Sequence, residues 1–235
     1  LTMGSTPVVA NYASGSGSGS SALTFTYTVL AGQSDTDGIS IGANALSLSG
    51  GTIKDTAGNA ASMTHVAVGN NASYMVDTSV ATPTLALASD TGSSTSDGIT
   101  GEGTVNVGAL ESGATWEYST NSGGSWTTGT GASFTLGVGS YAAGVVRVRQ
   151  TDLAGNISTE VQSTGAITID ATAPAVSTVA ITGATGVQSS TLNAGDVVTA
   201  TVTFGEAVTV TGTPSLTLTM GSTPVVANYA SGSGS

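Results

Sequence analysis

The residues able to do chemistry in this chain are almost all carboxylates. Fourteen Asp and Glu stand against three Lys and Arg, with one histidine and no cysteine in 235 residues, giving a formal charge of −11. Carboxylates with so few cations suit the holding of a hard cation by oxygen. The same counts exclude much else. Three cations cannot neutralise a run of phosphates, so nucleic acid is not an expected partner. A lone His65 and the lack of cysteine remove zinc sites, disulfide frameworks and nucleophile–base triads. Paired carboxylates can hydrolyse glycosides, but these acids fall in loops rather than along a cleft between strands. No enzyme activity and no small-molecule substrate are expected. No stretch approaches eighteen consecutive apolar residues, so no helix spans a membrane and no insertion is expected. No basic start followed by an apolar stretch is visible, so no signal peptide is read, and Leu1 at the start reads as an excised fragment.

The elements that must position these acids are strands. Ala22–Val29, Val197–Phe204 and Leu216–Met220 alternate apolar and hydroxyl residues, and Val145–Arg149 alternates with its arginines on the wet face. Period-two alternation rich in β-branched residues, punctuated by Gly, Ser and Asp, predicts short antiparallel strands of a sandwich. No segment shows a 3.6-residue period. Disorder, which low charge alone would allow, is excluded by 39% hydrophobic residues in alternating runs. The fold class is all-β, with tandem Ig-like sandwich modules in an extended array.

The eighteen residues LTMGSTPVVANYASGSGS, from Leu1 to Ser18, recur unchanged from Leu218 to Ser235, an offset of 217 residues. A fixed period of this kind marks a repeat architecture. Two linkers of similar order, Val76–Pro83 and Ile169–Pro174, place an apolar residue, Asp, small residues and Pro in sequence. Pro is tolerated at a strand entrance. The divisions are therefore 1–78, the second half of a split module; 79–172, a complete module of about 95 residues; and 173–235, the first half of the next module.

Successive loops of a sandwich alternate between its two ends, which sorts the acids into two junctions. Asp35, Asp37, Asp77 and Asp152, with Asn156, are predicted to meet between the split and complete modules. Asp90, Asp97, Asp170 and Glu206 are predicted to meet at the other junction, with Asp55 and Asn59 supplied by a neighbouring half-module. Like charges gathered without cations raise one another's pKa. Ca²⁺, with six to eight oxygen ligands in flexible geometry, relieves this better than Mg²⁺. The alternative is that Asp37-Gly38 and Asp97-Gly98 are turn residues. No segment completes an EF-hand, and Glu111, Glu117 and Glu160 read as ordinary solvated positions.

The central module carries Ala81-Thr82-Pro83-Thr84-Leu85, Ser89-Asp90-Thr91-Gly92, Thr95-Ser96-Asp97-Gly98-Ile99-Thr100 and Arg149-Gln150-Thr151-Asp152-Leu153-Ala154-Gly155-Asn156. The split module carries Phe204-Gly205-Glu206-Ala207-Val208, Asp35-Thr36-Asp37-Gly38-Ile39 and Gly50-Gly51-Thr52-Ile53-Lys54-Asp55-Thr56-Ala57-Gly58-Asn59-Ala60. With these motifs the chain resembles, over essentially its whole length, the bacterial Ig-like repeats of giant surface adhesins and biofilm-associated proteins. Gly205 departs from the small polar residue expected there. The resemblance implies a calcium-stiffened stalk at the bacterial cell surface, exported from the cell. Its partners would be neighbouring repeats of the same polypeptide. The split module by itself adds the expectation of self-association, one chain's last half pairing with another chain's first half. Two other readings belong to different classes. One is a glycan- or surface-binding module using Trp126, the other a filament or surface-layer subunit assembled between chains. Tyr141 reads as a tyrosine corner, Trp116 as core, and His65 as an ordinary strand residue.

Overall fold

Alternating sequence becomes paired strand in the computed structural model, which describes residues 1–15 and 17–232. Ser16 and residues 233–235, all within the repeated eighteen-residue sequence, lie outside the described residues. The described residues are all-β, with no helix. They divide into two compact units, Leu1–Asp170 and Ala171–Ser235.

The core of the first unit lies in its second half. Thr104–Gly108 sits between Thr84–Leu87 and Ser133–Thr135 in one antiparallel sheet. Thr115–Ser119 and Arg147–Thr151 form the middle of another, flanked by Thr127–Thr128 and Val161–Gln162. In a third, Ile167–Ile169 pairs antiparallel with Gly139–Tyr141 and parallel with Ile99–Thr100. Side chains of all three sheets, among them Val105, Trp116, Phe134, Val148 and Ile169, form one buried cluster. Each fully buried valine in it contributes roughly 1.5–3 kcal/mol through burial. Arg147 and Arg149 face outward while Val148 and Gln150 face inward, as alternation predicts. The Tyr141 hydroxyl donates back to Gly137 O at 3.1 Å, and Trp116 is buried with Nε1 donating to Gly131 O. The Arg149 guanidinium lies 4.1 Å over the Trp126 ring, covering one of its faces.

Residues 1–78 pair in much shorter pieces. Thr2–Met3 joins Thr6–Pro7 and Ile39–Ile41, which pairs with Val68–Asn71. Asn11–Tyr12 pairs with Phe25–Thr26, and Ser34–Asp35 with Val76–Asp77. Of the alternating run Ala22–Val29, only Phe25–Thr26 forms a ladder. Alternation decides which face a residue takes, but a strand also requires a partner edge. His65 lies outside any strand: its Nε2 accepts from Ala45 N at 2.9 Å, and its Nδ1 stands 2.7 Å from Val66 O.

The second unit consists of two hairpins. Val176–Thr185 pairs with Val197–Phe204 through two register shifts, and Ser215–Met220 pairs with Thr223–Asn228. None of its described residues is buried, and Val176, Val179 and Ile181 are all more than half exposed.

Candidate metal centre

At the first junction, strand pairing sets two of the predicted acids on adjacent strands but on opposite faces, Asp35 with the buried Val76 and Asp77 with the exposed Ser34. Ser34 pairs with Asp77 and Asp35 with Val76, so the buried Asp35 stands beside the linker. The Asp35 carboxylate is fully engaged. Its Oδ2 accepts from Gly4 N at 2.9 Å, and its Oδ1 from Gly38 N at 2.7 Å and Asp37 N at 3.2 Å. These donors, Gly4 foremost, hold its pKa below the ordinary 3.8. Gly38, at φ +100°, is required here, because an added Cβ would fall 2.1 Å from Asn71 O. Asp37 turns to Asn70, whose Nδ2 donates to its Oδ2. Asp77 Oδ1 accepts from the Ser79 amide at 3.0 Å.

The remaining two residues reach this linker through Asn156. Asp152-Leu153-Ala154-Gly155-Asn156 closes on itself. Asn156 N donates to Asp152 Oδ1 at 2.8 Å, Asn156 Nδ2 to Asp152 Oδ2 at 2.7 Å, and Asp152 N to Asn156 O at 3.1 Å. The Asn156 side chain thereby holds the Asp152 pKa below 3.8. Its Nδ2 also reaches Asp77 O at 3.1 Å and Ser79 O at 3.5 Å. Sequence reasoning had not singled out two further residues that act on the same linker. Gln150, fully buried, donates to Ala81 O at 2.8 Å and Ala109 O at 3.0 Å, and accepts from Glu111 N. Glu111 Oε1 accepts from Ala81 N at 2.6 Å, so Glu111 is a linker contact rather than an idle solvated acid. Glu117 and Glu160, also read as solvated, pair with Arg149 and Arg147 at 2.9 Å. A glutamine at an inward position of an alternating strand was the one available signal. A buried amide must find partners, and here they are the linker backbone.

At the second junction, Asp90 Oδ2 accepts from Gly98 N at 2.9 Å and Asp97 Oδ1 from Ile99 N at 3.0 Å. Both acids line one cleft of about 320 Å³, along with Leu85, Leu87, Val105 and Ile167. Asp90 Oδ1 is buried there without a hydrogen-bond partner. An orphaned oxygen of this kind costs about 1–3 kcal/mol unless water or a cation reaches it. Asp170 N donates to Thr100 O at 3.0 Å, which brings the linker backbone to the end of the 90–100 loop. Glu206 is exposed at the bend after Val197–Phe204, in the second unit.

Asp55 and Asn59 form the same closed loop as Asp152 and Asn156. Asp55 Oδ1 accepts from Asn59 N at 2.8 Å, and Oδ2 from Asn59 Nδ2 at 2.8 Å. This lowers the Asp55 pKa, with the Asn59 side chain as the main cause. Among the described residues, no group of three or more His, Asp or Glu side chains converges to hold a metal. Asp35, Asp55 and Asp152 are ionised and satisfied by N–H donors. Among the described residues, Asp90 combines a buried unpaired oxygen with a second carboxylate, Asp97, on the same cleft. No family model matches the chain, and a search of curated proteins returns no match.

Proposed function

We propose that the chain is a non-enzymatic extender segment of a large bacterial surface adhesin, serving adhesion and biofilm formation by holding a terminal domain away from the cell. The observation that carries this reading is the grip on the linker. Residues 77–82 are held by Asn156, Gln150 and Glu111 of the module that follows, with Thr82 and Thr159 hydroxyls 3.2 Å apart. A connection fixed at several backbone groups transmits force instead of acting as a swivel. The 217-residue period supports the reading, since stalks are made by repetition.

Calcium is the second part of the proposal. Asp90 and Asp97 would supply carboxylate oxygens, with Asp170 near the same loop. At the first junction Asp35, Asp77 and Asp152 would add negative charge beside a linker already fastened by hydrogen bonds. A bound cation would relieve the orphaned Asp90 oxygen. It would also stabilise the folded module by about 2.7 kcal/mol when free calcium stands at about 100 times its Kd. Melting the chain with calcium and with a chelator tests this. The melting temperature should rise with calcium, and the rise should vanish in Asp90→Asn. An unchanged melting temperature overturns the calcium assignment.

A further inference from the structure

Near its two linkers the central module sets side by side two strands that point the same way. Ile99–Thr100, the second strand of the module, pairs parallel with Ile167–Ile169, its last: Ile99 stands opposite Thr168, and Thr100 opposite Ile169. Thr168 N donates to Gly98 O at 2.8 Å, and Asp170 N to Thr100 O at 3.0 Å. The approach is close enough to require glycine. Gly98 stands at φ +76°, and an added Cβ would fall 2.4 Å from Ala166 O. Thr100 is 2% exposed, and its hydroxyl fastens the strand to the loop before it. Thr100 Oγ1 accepts from Thr91 N and Glu102 N, each at 3.1 Å, and lies 2.9 Å from Thr91 Oγ1 and 3.3 Å from Ser89 O. Gly101 N donates in turn to Thr91 Oγ1 at 3.0 Å.

We propose that this parallel pair is the load-bearing clamp of the central module. Tension along the chain draws Ile99–Thr100 toward one linker and Ile167–Ile169 toward the other. Parallel strands pulled in this way slide past each other lengthwise, so the bonds between them are loaded together and none opens alone. The strand ahead of the clamp in the load path, Thr84–Leu87, is held by four pairs to Thr104–Gly108. It contributes no residue to the buried cluster, against which Leu85 and Leu87 only pack, so its release leaves the core closed. Ile167 and Ile169 belong to that cluster, and sliding at the clamp exposes it to water. The Thr100 hydroxyl keeps the two strands in register until they fail together. The clamp takes from the stalk reading only that force enters along the chain, and it does not use calcium.

Single-molecule force spectroscopy on the full chain tests the clamp. With no native cysteine to compete, handles at Ser79→Cys and Ala173→Cys place only the central module under load. Thr84–Leu87 should leave first, and the main step should then release Ile99–Ile169, about 240 Å at about 3.5 Å per residue. A main step of about 300 Å, counted from Thr84, means that the first strand carries the load and overturns the proposal. Thr100→Val removes the hydroxyl at nearly constant volume and should speed the main step at least ~tenfold at fixed force. Thr91→Val loses fewer of these bonds, should speed the step about threefold, and serves if Thr100→Val does not fold. Val148→Ala, in the core but away from the clamp, should lower the melting temperature and leave the forced rate within about twofold, because its contacts persist while the clamp slides. A folded Thr100→Val or Thr91→Val chain with an unchanged rate overturns the proposal. So does a Val148→Ala chain that opens as fast as Thr100→Val. Each of these failures leaves the calcium melting test of the stalk reading untouched.

Discussion

The central module and the second unit obey the same pattern and end in opposite states. Thr104–Gly108 buries Val105 and Val107 almost completely. Val197–Phe204 alternates just as regularly, yet its inward positions are only half-covered. The difference is the number of covering layers. In the central module three sheets converge on one cluster. In the second unit each hairpin has its partner strand, and none of the unit's described residues is buried. Alternation thus prepares a face for burial, and only another layer turns that face into stability.

Substitution should expose this contrast most strongly at Trp116. Trp116→Ala should cost the central module about 3–5 kcal/mol, whereas Val202→Ala in the second unit should change its thermal unfolding by less than about 0.5 kcal/mol. Calorimetry on the full chain checks both; equal losses would mean the second unit is covered in solution. A smaller effect separates the two Asp-x-Ala-Gly-Asn loops. Asn156→Ala removes bonds to Asp77 and Ser79 as well as to Asp152, and should cost about 1 kcal/mol with faster amide exchange along the linker. Asn59→Ala, which breaks only its own loop, should leave the exchange of residues 77–82 as it was. The smallest effect is one of pH. Asp35, Asp55 and Asp152 all have folded pKa values below 3.8, so their contribution is complete above that value. It is lost as pH falls below 3.8 through the lowered values, because the unfolded chain then binds protons first. Denaturant titrations between neutral pH and pH 3 should show flat stability followed by a decline. Asp152→Asn should flatten that decline.

Much of this was legible in the residues. Alternation at Val197–Phe204 marked a strand of that span, and the inward and outward sides of Arg147–Thr151 followed from period two. Trp116 as core and Tyr141 as a corner followed from their positions near strands. The linker grip was not legible. Glu111 looked like any exposed acid because its partner, Ala81 N, is a backbone group that sequence does not mark. Gln150 was hidden for the same reason, with carbonyl partners far away in the chain. The orphaned Asp90 oxygen depends on the packing of a cleft wall and has no sequence signal at all.

The sequence alone determined the local ladders and loops. The repeated hairpin takes one register in two different settings, and Asp55–Asn59 and Asp152–Asn156 close with the same bonds, because their donors and acceptors lie within a few residues of each other. Tertiary structure decided which of these pieces is covered. Met3 and Met220 belong to identical segments, and one is buried while the other stands exposed. Burial depends on strands contributed from far along the chain, and an identical local sequence carries no information about which distant strand will arrive.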